Sequence, residues 1–329
     1  MLKLSALFYN LGNYRRTKNF ERLANGRFLS KSKFPLTEDS FHRSNMQGDE
    51  LEEFPENDEP NRPPYRCGGF NAKFMQAVKT KEYFNRARTS LDSVWSLFEE
   101  HKDEHPQIPI LLETYKNIRE EYHENLCYAK NYPLIVFEGL DGSGKSTVGK
   151  LFAKKIGTEV MPTPPKALSA FRAEFDGDHC WHAPFYYFGN YVAAMEVANI
   201  LKSKPVVMDR FWHSTTSFAL AQMKEDFYKV MKSTELPERG NDIYEWPKDL
   251  LKPDIVIFLD VSEEVRKNRL SRRFTKTDQE NLLESKQEFR KNVLLAYENM
   301  ANPGICKIDG NSSLETVLQE IDNKVKNLF

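Results

Sequence analysis

The chain has 329 residues, with 47 basic and 48 acidic side chains and a formal net charge of -1. That balance gives no global attraction to nucleic acid or an anionic surface, and no apolar run approaches the ~20 residues of a membrane-spanning helix. Cys67, Cys127, Cys180 and Cys306 are far apart and form no C-x-x-C pair, so they read as reduced thiols in a cellular compartment.

Residues 1–33 carry Lys3, Arg15, Arg16, Lys18, Arg22, Arg27, Lys31 and Lys33 against a single acid, Glu21. Leucines and aromatics are interspersed (Leu2, Leu4, Leu7, Phe8, Leu11). A basic, acid-poor, weakly amphipathic start has the pattern of a mitochondrial presequence, which predicts a matrix location. Composition then flips to the acid-rich, proline-bearing stretch Glu38–Pro64. Residues 34–66 are expected to be a disordered linker, because they cannot bury enough apolar surface to order themselves.

Residues 67–130 read as a helical extension. Phe74, Ala77, Val78, Leu91, Val94, Trp95 and Phe98 fall near one stripe, which predicts one helix over 70–98. Pro106 and Pro109 break it. Leu111, Tyr115, Ile118, Tyr122 and Leu126 predict a second helix, so the pair reads as a hairpin packed on the domain behind it.

From 131 to 329 strand and helix signals alternate. The strands are expected at 134–137, 159–161, 205–209, 254–261 and 305–309. This alternation predicts an α/β fold, a parallel five-stranded sheet flanked by helices. Ligands in such sheets sit beyond the carboxyl ends of the strands.

The first of these strands runs into FEGLDGSGKST at 137–147. Gly139 to Ser146 matches G-x-x-x-x-G-K-[ST] with a strand before and a helix after, the context that a phosphate-binding loop requires. Gly139, Leu140, Asp141, Gly142, Ser143 and Gly144 would turn successive N–H groups toward one anion, and Lys145, Ser146 and Thr147 open the helix. Lys145 supplies a mobile charge for phosphate oxygens, and Ser146 a hydroxyl for Mg²⁺. ATP and Mg²⁺ are therefore the expected cofactors. The strand Val206-Val207-Met208 ends in Asp209-Arg210 beside that loop. Asp209 suits a water of Mg²⁺, and Arg210 a second phosphate in a bidentate fork. After the strand near 254–261, Arg266, Arg269, Arg272 and Arg273 crowd a stretch that reads as a lid near 262–280. Phe185 to Tyr191 is an aromatic cluster from which one or two rings could stack on a base. His179-Cys180-Trp181-His182 has no further ligand pair nearby, so it does not read as a metal site.

FEGLDGSGKST, VVMDRFWHS and KPDIVIFLDV together resemble the thymidylate kinase family of P-loop nucleoside-monophosphate kinases over 132–329. GNYVAAMEVAN, YEWPKDLLKPD and ENMANPG are most similar to a mitochondrial branch that acts on UMP and CMP. The resemblance implies transfer of a phosphoryl group from ATP to a pyrimidine nucleoside monophosphate: CMP, UMP, dCMP or dUMP. It implies that Lys145 and the loop hold ATP, that Arg210 binds the acceptor phosphate, and that Asp141 faces the acceptor sugar. One of Arg269, Arg272 and Arg273 would neutralise charge from the lid. The acceptor base would stack on Tyr187 or Phe188, next to Asn190.

Two departures are visible. The family's Arg after the helix Asn is replaced by Tyr191, and the Phe-Pro-x-Arg segment is matched by Met161-Pro162-Thr163-Pro164-Pro165, so Arg172 is the available substitute. Both argue against thymidylate. A dTMP kinase and a non-catalytic nucleotide-binding or signalling protein remain the rival readings. A GTPase is excluded by the lack of N-K-x-D, and Asp141 with the lid spacing argues against a deoxynucleoside kinase. The partners expected are nucleotides, with neither nucleic acid nor a membrane span; a homodimer is left open.

Overall fold

A computed structural model of the chain describes residues 72–122, 130–231, 235–272 and 286–329. These all fall within one compact unit. The expected presequence (1–33), the linker (34–66) and residues 273–280 of the lid, Arg273 among them, lie outside the described residues, as do Cys67 and Cys127. Cys180 and Cys306 are free thiols. Among the described residues no helix is long and apolar enough to cross a membrane.

The centre is a five-stranded sheet: β1 Leu134–Glu138, β2 Val160–Pro162, β3 Val206–Asp209, β4 Ile255–Asp260 and β5 Ile305–Asp309. The order is β2-β3-β1-β4-β5, and every pairing is parallel. All five residues of β1 are buried, the continuous apolar run expected of a strand covered on both faces. The chain winds to one side of β1 and then to the other, so the crevice of such a sheet opens at the end of β1. The register brings the strand ends level. Phe137 pairs with Asp209, Glu138 with Phe258, and Asp260 with Asp309.

The stretch expected to be one helix over 70–98 divides into α1 Ala72–Ala87 and α2 Leu91–Glu100. Ser90 causes the break. Its backbone is extended, and its hydroxyl accepts the N–H of Ser93, so it caps α2 instead of continuing α1. With α3 Ile108–Glu121, which carries Pro109 in its first turn, the described residues of the extension form three helices rather than the two of a hairpin.

These helices share a core with the rest. Phe84, Val94, Phe98 and Leu111 are fully buried in one cluster with Leu134, Leu168, Phe175, Phe188 and Met208. Phe98 stacks on Trp181 at 5.3 Å and meets Phe188 edge-on at 5.4 Å. The far side of the sheet is covered by α4 Lys145–Lys155 and α10 Leu314–Val325, through Val148, Phe152, Val317 and Ile321. Two long helices complete the near side, α6 His182–Ile200 and α7 Trp212–Met231. A short α5 Arg172–Asp176 precedes α6. α8 Glu263–Ser271 follows β4, and α9 Gln287–Asn299 packs on α7.

Candidate active site

The loop from β1 to α4 is shaped by its glycines. Gly142 has φ +85°, and a Cβ there would come within 2.9 Å of Arg266 O and Leu270 Cγ, so no larger residue fits without displacing α8. Gly144 adopts the left-handed conformation at the N-cap of α4. Lys145 is buried, donates to Leu140 O at 3.1 Å, and has Asp141 Oδ1 3.9 Å away. Burial, reinforced by the nearby Arg210 charge, pushes its pKa down to about 8, although Asp141, Asp209 and Glu138 oppose the shift. A desolvated lysine beside an arginine is a site that gains from an anion. Ser146 Oγ donates to Asp209 Oδ2 at 2.7 Å, across the gap between α4 and β3. That hydroxyl and carboxylate are a hard-oxygen pair suited to Mg²⁺, which takes few protein ligands and keeps its waters. Thr147 is exposed in the first turn of α4.

Arg210 stands at the junction of loop, β3 and α7. Its φ of +69° is left-handed, rare for a residue with a side chain. Its N–H donates to Phe137 O, and its own carbonyl accepts the Thr163 hydroxyl at 3.0 Å. The guanidinium bonds Asp141 Oδ1 at 2.5 Å and lies over the Phe218 ring at 5.5 Å. Burial works against its charge, but Asp141, with Tyr297, Glu138 and Asp209 around it, outweighs burial and holds its pKa above the usual range.

Beside Arg210 a cleft is lined by Thr163, His182, Ala183, Tyr186, Ser214, Thr215 and Phe218. Here the structure departs from the sequence-based expectation. Tyr187 is buried away from the cleft, with its hydroxyl bonded to Thr216 and its ring near Phe84. Phe188 is buried against Phe98 and Tyr115. Neither lines the cleft. Tyr191 is also in the core, donating to Asp249 Oδ1, whose other oxygen accepts the N–H of Leu91. These three residues join α6 to the extension and to the segment before β4. Of the aromatic cluster Phe185 to Tyr191, the ring that lines the cleft is Tyr186. Its hydroxyl donates to Asp176 at 2.8 Å and accepts from Arg172 at 3.2 Å, while the His182 ring lies 4.8 Å from its own. Arg172 therefore meets the cleft through Tyr186. Asn190 reaches it through Thr215, to which its amide donates at 3.1 Å; its buried Oδ1 has no hydrogen-bond partner. His182, Tyr186 and Asn190 are four residues apart, so they share a face of α6. That spacing was the available signal, and the apolar composition of the whole helix hid it.

The α8 arginines brace the loop. Arg266 is 1% exposed, grips Glu263 with two nitrogens at 2.7 and 2.9 Å, and donates to Asp141 O at 3.1 Å. Arg269 donates to Ser143 O at 2.8 Å and to Gly310 O at 2.9 Å. Arg272 is exposed at the C-cap of α8. Besides the cleft residues, sequence reasoning missed Glu138, Tyr297 and Thr163, which stand around Arg210. Glu138 is fully buried behind the loop and accepts the Tyr297 hydroxyl at 2.9 Å. Among the described residues no group of three or more His, Cys, Asp or Glu is placed to hold a metal ion.

Comparison with known proteins gives three reference points. UMP-CMP kinase 2, mitochondrial, from Homo sapiens is 36% identical over 200 residues, 60% of this chain and 43% of that protein. The chain thus spans less than half the length of this relative. A probable thymidylate kinase from Methanococcus vannielii is 28% identical over 182 residues, 53% of this chain and 81% of that one. A solved thymidylate kinase from Candida albicans superposes with a TM-score of 0.46 and 20% identity, over 60% of this chain and 93% of that chain. The thymidylate kinase family model matches residues 137–321, from the end of β1 into α10. That span contains the phosphate loop, the Asp209-Arg210 strand end, the cleft and the α8 arginines, and the chain belongs to the thymidylate kinase family.

Proposed function

We propose that the chain transfers the γ-phosphoryl group of ATP to a pyrimidine nucleoside monophosphate: CMP, UMP, dCMP or dUMP. One observation carries the reading. Arg210 stands between the phosphate loop, through Asp141 at 2.5 Å, and a cleft that offers an aromatic ring and hydroxyls. A phosphate on Arg210 therefore has its nucleoside in the cleft and the loop beside it. The loop amides and Lys145 hold the donor phosphates. Ser146 and Asp209 would hold Mg²⁺ and its waters, which would screen the phosphate oxygens. Asp141, already on Arg210, faces the acceptor sugar. Tyr186 stacks on the base, its ring fixed by Asp176 and Arg172. Asn190 and Thr215 read the base edge. When the lid closes, Arg269, Arg272 or Arg273 neutralises the transferring group. Such chemistry asks little covalent work of a protein, so positioning and charge are the mechanism.

Base choice follows from what the cleft offers. The position of the family's thymine-reading Arg is taken by Tyr191, whose hydroxyl is committed to Asp249. Hydroxyls and amides such as Thr215 and Asn190 can present either a donor or an acceptor, which suits cytosine and uracil equally. The second reading, transfer to dTMP, is favoured by the many thymidylate kinases among the relatives. The test is kcat/KM for CMP, UMP, dCMP, dUMP and dTMP with MgATP. The expected order places dTMP below CMP and dCMP by about tenfold, since the thymine carbonyl read by the family's Arg meets no free donor at Tyr191; thymine shares uracil's hydrogen-bonding edge, so the ratio of dUMP to dTMP reads the C5 methyl group. A preference for dTMP overturns the base assignment. ADP formation equal to the no-acceptor control for all five would favour the non-catalytic nucleotide-binding reading.

Mitochondrial matrix delivery by residues 1–33 belongs to the same proposal, supported by the basic, acid-poor composition of that stretch. A fluorescent fusion lacking residues 1–33 is expected in the cytosol, with the full chain in mitochondria. Import of the shortened fusion would show that the signal lies elsewhere.

A further inference from the structure

Among the described residues, the roles assigned above leave one buried carboxylate unused. Glu138 ends β1 and is completely buried. Its Oε1 accepts the N–H of Phe211 at 2.9 Å and of Ser214 at 3.2 Å, which fixes the start of α7. Its Oε2 accepts the Tyr297 hydroxyl from α9 and lies 4.0 Å from Arg210 Nη1. That guanidinium nitrogen is itself buried and has no hydrogen-bond partner, while its twin Nη2 is bonded to Asp141. Arg210 is thus held between two carboxylates at different reach. Asp141 is in contact, and Glu138 faces from behind the nitrogen left over for a ligand.

The backbone belongs to the same device. The left-handed φ of Arg210 would be unfavourable for a free residue. It is fixed on both sides, because its own N–H is taken by Phe137 O and the next N–H by Glu138. One carboxylate therefore sets both the turn that aims the guanidinium and the charge behind it. An N-cap role alone would explain the two N–H bonds. It would not explain why the second oxygen faces an unpartnered arginine nitrogen.

We infer that Glu138 is a positioning residue for the acceptor phosphate, acting through Arg210, with the Tyr297 hydroxyl as its support from α9. The inference rests on the reading of Arg210 as the acceptor-phosphate group. Glu138→Gln keeps the shape and one acceptor oxygen for the α7 N–H groups but removes the charge. Steady-state kinetics with MgATP and CMP, UMP, dCMP, dUMP and dTMP are measured for it in the wild-type and Arg210→Ala backgrounds. The acceptor KM is expected to rise about tenfold, the range of one hydrogen bond to a charged group, with the ATP KM unchanged. In the Arg210→Ala background Glu138→Gln should add nothing, since a coupling that passes through the guanidinium vanishes with it. Tyr297→Phe, which retains the ring, should give a smaller rise with the same dependence on Arg210, and it serves if the Gln variant does not fold. Equal effects in both backgrounds, a parallel rise in ATP KM, or a lowered Tm with normal KM would each make Glu138 purely structural and end the inference. Normal acceptor KM in Arg210→Ala alone would instead overturn the functional reading, and this inference with it.

Discussion

Lys145→Ala lowers kcat/KM for MgATP by about 10³-fold, the range seen when a preorganised charge stabiliser is removed from a water-excluded site, while the fold persists. The two halves of this expectation have one cause. Lys145 is buried beside Arg210 with a single hydrogen bond, to Leu140 O, and its pKa is pushed down to about 8 by burial and that neighbouring charge. Its ammonium is therefore poorly compensated until donor phosphates arrive, and the alanine variant loses little that holds the nucleotide-free fold. The sign can be followed with pH. The folded pKa lies below the ordinary 10.5, so between about pH 8 and 10.5 the unfolded chain binds a proton that the folded chain does not. The contribution of this group to stability thus rises with pH through that window. Bound polyphosphate reverses the shift, so ATP binding near pH 8 should take up a proton, measurable by calorimetry in buffers of different ionisation enthalpy. The alanine variant should show none of that uptake. Near-native turnover in Lys145→Ala would remove the loop from the mechanism.

Arg210→Ala is expected to raise the acceptor KM by about 10²-fold, the scale of 2–3 kcal/mol for a charge-assisted bidentate contact, and also to lower Tm. The second effect follows because Asp141 and the buried Glu138 then lose the cation between them, and removing one partner of a buried ion pair is strongly destabilising. Arg210→Lys separates the two consequences. A lysine restores the charge between the carboxylates and so most of the Tm, but it cannot reproduce the planar fork, so the acceptor KM stays raised. Acceptor kinetics and a thermal melt on both variants check this. Equal recovery of KM and Tm by lysine would mean that charge alone is read at this position.

The phosphate loop was legible because its chemistry is local. Gly139, Gly142 and Gly144 adopt positive φ within a few residues of one another, and a pattern of backbone conformations is written in adjacent letters. The strands were legible for a similar reason: β1 and β4 are short apolar runs, and the acid-base pair at the end of β3 stands at the carboxyl edge that any parallel sheet turns toward ligand. The extension was legible as helical, though its division was not, since Ser90 caps only once α2 has a core to face.

The facing of α6 was not legible. Thirteen of its nineteen residues are buried, so no apolar stripe marks an inner side. Which ring of this cluster lines the cleft depends on what covers the others: α1, α2 and α3 enclose Tyr187 and Phe188, and Asp249 takes Tyr191, leaving Tyr186 in the cleft. Glu138 was hidden in the same way. In the chain it is one acid after an apolar strand, and its partners Arg210, Phe211, Ser214 and Tyr297 lie 72 or more residues away. The sequence by itself determined the loop, the sheet and the family, because backbone turns and apolar runs are properties of neighbouring residues. Only the tertiary structure decided which aromatic of the α6 cluster lines the cleft and which carboxylate lies behind the arginine, because burial and ion pairing belong to groups that distant segments bring together.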